Sequence, residues 1–281
     1  MPSVVLPQAT IDYRVSGPAE DDGRPPVVFV HGALVDGRLW DGVAAGLAEQ
    51  GFRCIQPDLP LGSHLRPVTD RSVLSPAGVA GLVHELLVAL ELRDVTLVGN
   101  DTGGGVCQFL VDAHPDRVGR LVLTNCDAFD KFPPFPFDVI FSLMRSTVST
   151  RLATTAMVPT VLRHSPLGYG LLAEHLNPAL TASWMRPCRT DARIAGDFAA
   201  LARAIGRTDL TEVTPRLRSF TKPVSLVWGN ADRCFTPELG QRLAAAFPDS
   251  TMVGVEGART FVPLDNPGVV RDAIAEVSTR T

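Results

Sequence analysis

The sequence has no cysteine cluster, no long apolar run and no excess of basic charge. Its five cysteines (Cys54, Cys107, Cys126, Cys188 and Cys234) are odd in number and widely scattered. They lack the Cys-x-x-Cys or Cys/His spacing of a zinc site and the even set of a disulfide framework, and they read as reduced thiols of a cytoplasmic protein. No apolar stretch approaches the roughly 20 residues needed to span a bilayer. Residues 1–14 lack the basic-then-apolar pattern of a secretory leader. With 26 Lys and Arg against 30 Asp and Glu, the formal charge is −4. The chain as a whole therefore has no field to attract nucleic acid or an anionic membrane, and neither is expected as a partner. Nothing in the sequence calls for a metal or another cofactor.

What is there is ordinary globular material. The 281 residues are 45% hydrophobic and 20% charged, enough apolar surface to exclude a disordered chain. Short buried-strand patterns alternate with helical ones. Strands are expected at Val27–Val30, Phe52–Gln56, Val95–Val98 and Val118–Leu123, with helices over Leu39–Leu47, Ala77–Leu90 and Gly105–His114 between and after them. The rhythm breaks at Lys-Phe-Pro-Pro-Phe-Pro-Phe (Lys131–Phe137). It resumes with strands at Val224–Trp228 and Thr251–Val255 and helices over Pro237–Phe247 and Pro267–Val277. This alternation predicts an α/β domain with a mostly parallel sheet flanked by helices. The core is expected to comprise residues 1–130 and 219–281, with a helical cap, 131–218, inserted over one end.

The segment Val95–Gly104 reads Val-Thr-Leu-Val-Gly-Asn-Asp-Thr-Gly-Gly. A strand runs into Gly99, Asp101 follows at the turn, and Gly103 opens a helix. This is the strand–turn–helix context of a nucleophile elbow with Asp101 in the nucleophile's place. Gly99 and Gly103 suit the crowded backbone there, while the turn aims the N–H of Thr102 at the reacting centre. A bland alternative is a glycine-rich junction whose aspartate only caps the helix. Two further segments weigh against it. An earlier strand ends in His31-Gly32, where Ala33 or Leu34 could supply a second oxyanion N–H. The run Val227-Trp228-Gly229-Asn230-Ala231-Asp232 places an acid just after a strand.

Together these motifs resemble the α/β-hydrolase fold family over nearly the whole chain. The aspartate elbow is most similar to its epoxide hydrolase and haloalkane dehalogenase branch. The resemblance implies a carboxylate nucleophile (Asp101), an ester intermediate, and a histidine oriented by a second acid (Asp232, or Asp127 after the preceding strand) that activates water. The sequence departs from this pattern where the histidine is expected. The segment Gly257-Ala258-Arg259-Thr260-Phe261 carries Thr260 in that place, and no histidine follows His175.

That substitution spares the attack of an ionised carboxylate but removes the base for the hydrolytic half, a contribution of roughly 10²- to 10⁴-fold. It also leaves Asp101 and Asp232 as a carboxyl pair expected to titrate high and to be bridged by a hydroxyl or water. Dehalogenation is not expected, because Thr102 and Ala33 occupy the halide-binding places of that subfamily. Ordinary epoxide hydrolysis is weakened, because Tyr169 is the sole tyrosine of the insertion and Leu34 replaces a loop proline. Three functions follow: non-hydrolytic acid–base chemistry of lyase, isomerase, dehydratase or cyclase type; hydrolysis with an unusual base; and a non-catalytic binder. The substrate is expected to be small and hydrophobic, contacting Trp40, Tyr169, Trp184 and Thr260, with Phe132–Phe137 as one lip. His31 reads as a loop-holding residue, His64 as an exposed loop residue, and His175 as a cap proton donor to be weighed beside Tyr169.

Overall fold

The structure is a computed structural model that describes residues 1–18 and 23–280. Eight strands form one sheet: β1 (Ser3–Val5), β2 (Thr10–Ser16), β3 (Val27–Val30), β4 (Cys54–Pro57), β5 (Val95–Asp101), β6 (Val118–Cys126), β7 (Val224–Gly229) and β8 (Ser250–Val255), in the order β1-β2-β4-β3-β5-β6-β7-β8. β1 and β2 run antiparallel to their neighbours, while the other six are mutually parallel. Every residue of β3, β4, β6 and β7 is buried. A parallel strand covered on both faces has no polar side to present, so these read as continuous Val/Leu runs. β8, at the edge, alternates instead.

The helices of the main layer are α1 (Asp41–Glu49), α2 (Pro76–Ala89), α3 (Thr102–Ala113), α9 (Pro237–Ala244), α10 (Val262–Asp265) and α11 (Pro267–Val277). α1 packs on α11 and α2 on α3. Ser75 caps α2 by accepting from the Gly78 N–H at 3.0 Å, with Pro76 in the first turn. α3 starts at Thr102, three residues before the expected start. β1 and β2 were not expected: β1 is only three residues long, and the half-exposed β2 offers no apolar run.

Between β6 and β7 the described chain forms helices and no strand: α4 (Phe137–Leu143), α5 (Thr147–Ala156), α6 (Thr160–Arg163), α7 (Pro178–Thr190) and α8 (Ala192–Ile205). Polar clasps tie this insertion to the sheet domain. Trp184 Nε1 donates to Asp36 Oδ1 at 3.0 Å, and Ser63 Oγ donates to the Trp184 carbonyl at 2.8 Å. Asp197 of α8 accepts from Arg71 Nε at 2.7 Å and from the Val68 N–H at 3.1 Å, with His64 Nε2 at 3.4 Å. His64 is thus a buried residue beneath the insertion, not an exposed loop residue; the carboxylate of Asp197 gives its ring a reason to be inside. No described helix is long and apolar enough to cross a membrane.

Candidate active site

β5 ends in a turn that only its neighbours make possible. Asp101 has φ 53° and ψ −131°, a left-sided conformation that costs a non-glycine residue about 1–3 kcal/mol and persists only where the surroundings enforce it. A Cβ on Gly103 would lie 2.3 Å from the Val30 carbonyl oxygen, and one on Gly32 would lie 2.1 Å from Asp101 Oδ2. Glycine is therefore required on both sides of the aspartate. The crowding is what projects its carboxyl outward from the sheet end, as a nucleophile elbow does.

The backbone N–H groups of Thr102 and Ala33 favour the ionised form of the Asp101 carboxyl, and Thr102 Oγ1 lies 3.5 Å from its Oδ2; the Leu34 N–H, also expected at an oxyanion site, instead donates to the Leu61 carbonyl at 2.9 Å. Burial pushes its pKa up; the two amides hold it down and the nearby Asp232 charge raises it, leaving it at about 7. Asp101 opens into a partly enclosed cavity. The walls are almost wholly apolar: Phe137, Ile140, Phe141 and Met144 on one side, Met157, Leu172 and Met185 on another, with Pro133 and Pro134 from the Phe-Pro stretch. Ala33, Leu34, Thr102 and Tyr169 complete the floor and rim. Tyr169 donates its hydroxyl proton to the Leu34 carbonyl, and burial raises its pKa further, so it is a wall rather than a free acid.

Asp232 lies behind this cavity. Its Oδ1 accepts from the N–H groups of Cys234 (2.7 Å) and Phe235 (3.1 Å), while Oδ2 accepts from Asn125 Nδ2 and Thr260 Oγ1, both at 2.8 Å. Burial outweighs these bonds and lifts its pKa to about 6. Thr260 is fully buried, its carbonyl accepting from Asn100 Nδ2 at 2.7 Å. Asp127 is also fully buried, and neither carboxylate oxygen has a hydrogen-bond partner. Burial and the neighbouring Asp101 push its pKa well up. Three carboxyl groups with raised pKa thus surround the elbow.

None of the six histidines lines the cavity. His31, nearest in sequence to the oxyanion loop, is fully buried. Its Nδ1 is 2.9 Å from the Gly32 carbonyl, and its Nε2 accepts from the Leu59 N–H at 2.9 Å. Both ring nitrogens are committed to backbone, and burial lowers the pKa, so it holds the loop as expected. His64 faces Asp197, His84 and His114 stack on each other at 4.3 Å, and His164 bonds Thr181. His175 is largely exposed beside Asp265, which removes it as a cap proton donor to the cavity.

The structure therefore brings together Asp101, Thr102, Ala33, Leu34 and Tyr169 around one space. It separates Trp40, Trp184 and Thr260 from it. Trp40 and Trp184 are both fully buried. Trp40 packs on Phe29 at 5.0 Å, and Trp184 packs edge-on to Tyr169 at 5.5 Å. Trp184 fills the junction between insertion and sheet domain, while Trp40 is packed inside the sheet domain against β3. Pro133, Pro134 and Phe137 come from the Phe132–Phe137 stretch expected as one lip, whereas the methionines, Ile140 and Phe141 were not singled out in the sequence. Their helical periodicity was visible, but which face of each inserted helix looks inward depends on how the insertion docks.

The chain belongs to the alpha/beta hydrolase fold family, which it matches over residues 25–267. Among named proteins, it is 27% identical over 267 residues to haloalkane dehalogenase 2 of Mycobacterium tuberculosis, covering 91% of this chain and 89% of that one. It is also 27% identical over 278 residues to an uncharacterized protein of the same organism, covering 93% and 76%. Among solved structures, the enol-lactonase of Burkholderia xenovorans superposes with a TM-score of 0.78 at 19% identity, covering 99% and 100% of the two chains. The epoxide hydrolase CorEH superposes with a TM-score of 0.73 at 21% identity, covering 97% of each.

Proposed function

We propose that this protein is an enzyme that moves a proton between Asp101 and a small apolar molecule, in the manner of an isomerase, lyase, dehydratase or cyclase. The observation that carries this reading is an aspartate with a pKa near neutrality at the floor of an apolar cavity whose walls contain no imidazole. A carboxyl with a pKa of about 7 is present in both forms at neutral pH, which is the condition for efficient general acid–base work. The Thr102 and Ala33 amides stabilise the carboxylate form when the proton leaves. Thr260 holds Asp232 with a hydroxyl that can orient it but cannot take a proton from water.

On this reading an epoxide, for example, takes the Asp101 proton on oxygen as the C–O bond breaks. A hydride then shifts to the cationic carbon, and the hydroxyl proton returns to the carboxylate as the carbonyl forms. The product is an isomer of the substrate, with no water consumed. The second reading is hydrolysis through an Asp101 ester, favoured by the intact elbow and by the hydrolases this chain resembles. It needs a base that the cavity walls do not supply. Binding without turnover is the third.

Styrene oxide in water enriched in ¹⁸O separates these readings. Isomerisation gives phenylacetaldehyde with no diol and leaves the protein mass unchanged. Hydrolysis gives a labelled diol. A stalled nucleophile gives protein carrying one added styrene oxide on Asp101. The proton-transfer reading expects the first result, with loss of the aldehyde in Asp101→Asn, and is overturned by either of the others.

A further inference from the structure

The charge of the chain is unevenly divided. Residues 131–218 carry eleven Lys and Arg against six Asp and Glu, a net +5, while the rest carries fifteen against twenty-four, a net −9. The value of −4 for the whole conceals a basic insertion mounted on an acidic domain. The same insertion holds the exposed apolar surface. Of the fifteen large apolar side chains exposed among the described residues, nine lie between 135 and 167. Leu143, Val148, Leu152 and Val161 are each exposed by two-thirds or more. Val148 and Leu152 sit one turn apart on α5, with the exposed Arg151 beside them, and Leu143 ends α4 two residues before the exposed Arg145.

The helices have a second side. Ile140 and Phe141 of α4, and Ala153 and Thr154 of α5, line the cavity above Asp101. Two short helices thus place apolar groups on both sides, one toward the pocket and one toward solvent. Exposed apolar groups gathered this densely in one segment of the chain, between residues 135 and 167, mark a surface that is covered in use.

We propose that this face of the insertion docks on an anionic lipid surface, with Leu143, Val148 and Leu152 entering the interface and Arg145 and Arg151 meeting the headgroups. Charge selects this occupant. Two copies joined symmetrically through the face would bring a +5 insertion against another, which like-charge repulsion disfavours. An anionic bilayer offers apolar depth and opposite charge together, and the −9 domain is repelled outward, which orients the protein insertion-first. Docking this way sets the helices that wall the pocket against the phase where an apolar substrate concentrates. The docking itself does not depend on the chemistry assigned to Asp101.

The test is flotation of the full chain with vesicles of phosphatidylcholine alone and of phosphatidylcholine with phosphatidylglycerol, alongside size-exclusion chromatography. The expected result is roughly tenfold more protein floating with the anionic vesicles, with the excess lost in high salt. Arg145→Glu/Arg151→Glu is expected to abolish the preference for anionic lipid. Leu143→Ser/Leu152→Ser is expected to reduce flotation at an unchanged melting temperature. Equal or absent flotation with both vesicle types overturns the proposal. So does a dimer that the leucine variant dissociates, which would make the face a contact between copies. Phenylacetaldehyde formation from styrene oxide without vesicles is unaffected by either result, so failure of the docking proposal and failure of the proton-transfer reading are told apart.

Discussion

The hydroxyl of Thr260 donates a 2.8 Å hydrogen bond to Oδ2 of Asp232, behind the floor of an apolar cavity whose nearest acid is Asp101. A threonine there keeps the acid fixed and solvated by a donor, but it cannot relay a proton from water. The chemistry proposed for Asp101 follows from that replacement.

Thr260→Val keeps the shape and removes the donor. Asp232 Oδ2 then retains only Asn125, and a hydrogen bond to a buried acid is lost, at a cost of about 1–3 kcal/mol. The urea midpoint is expected to fall accordingly, with the pKa of Asp232 moving further up. Thr260→His places an imidazole beside Asp232 in a fully buried position. Overpacking is expected to cost about 1–3 kcal/mol, while diol formation from styrene oxide, the hydrolytic product, should appear. An unchanged product spectrum in a folded Thr260→His protein contradicts the alignment of that position with the family's histidine.

The pH dependence of stability has a definite sign. Asp101 titrates at about 7 in the folded protein against about 3.9 in an unfolded chain. Folding therefore favours the protonated form. The associated stability is fully present below about pH 4 and is lost as pH rises through 7. Asp232, at about 6, acts in the same direction. Asp101→Asn removes the Asp101 contribution, so wild type should lose on the order of 2–4 kcal/mol relative to the variant between pH 4 and pH 8. Urea unfolding of both proteins across that range measures the difference. Parallel curves would contradict it.

Ala153 sits on α5 at the cavity wall. Ala153→Phe is expected to fill part of the space and to weaken binding of an apolar dye such as Nile red by at least roughly tenfold, because the site depends on concave apolar volume. The melting temperature should change little, since the new ring occupies space that is empty.

Trp184 gives the opposite outcome. Its ring is sealed between the insertion and the sheet domain, and its Nε1 donates to Asp36. Trp184→Phe should cost about 1–3 kcal/mol, since a buried donor–acceptor pair is lost and the smaller ring leaves unfilled space, although Asp36 Oδ1 keeps its bonds from Arg38. Dye affinity should change far less than in Ala153→Phe. A selective loss of affinity without loss of stability would restore the sequence-based expectation that Trp184 touches the ligand.

What the sequence made legible follows from local physics. The elbow was readable because Gly99, Gly103 and Asp101 are constrained by a turn a few residues long, and the fully covered strands because burial on both faces leaves a continuous apolar run. Strands β1 and β2 were not, since half-exposed residues carry a weak pattern. Ala33 could be placed because its loop follows directly from β3, whereas the Leu34 N–H turns away to the Leu61 carbonyl, a long-range contact no local motif reveals. Trp184 and His64 were misplaced for one shared reason: each sits where the insertion meets the sheet domain, and that docking is a tertiary event; Trp40 is instead packed inside the sheet domain on Phe29. The inward faces of α4 and α5 were hidden in the same way, as was the separation of a basic insertion from an acidic core, which a single net charge averages away.

The most direct measurement is a ¹³C NMR titration of the Asp101 side-chain carboxyl, assigned by its absence in Asp101→Asn. The expected midpoint is about 7, with a second, smaller inflection near 6 from the neighbouring Asp232. A single midpoint near 3.9, the value of an unperturbed aspartate, would show a carboxylate permanently ionised at neutral pH and would contradict its role as a proton donor.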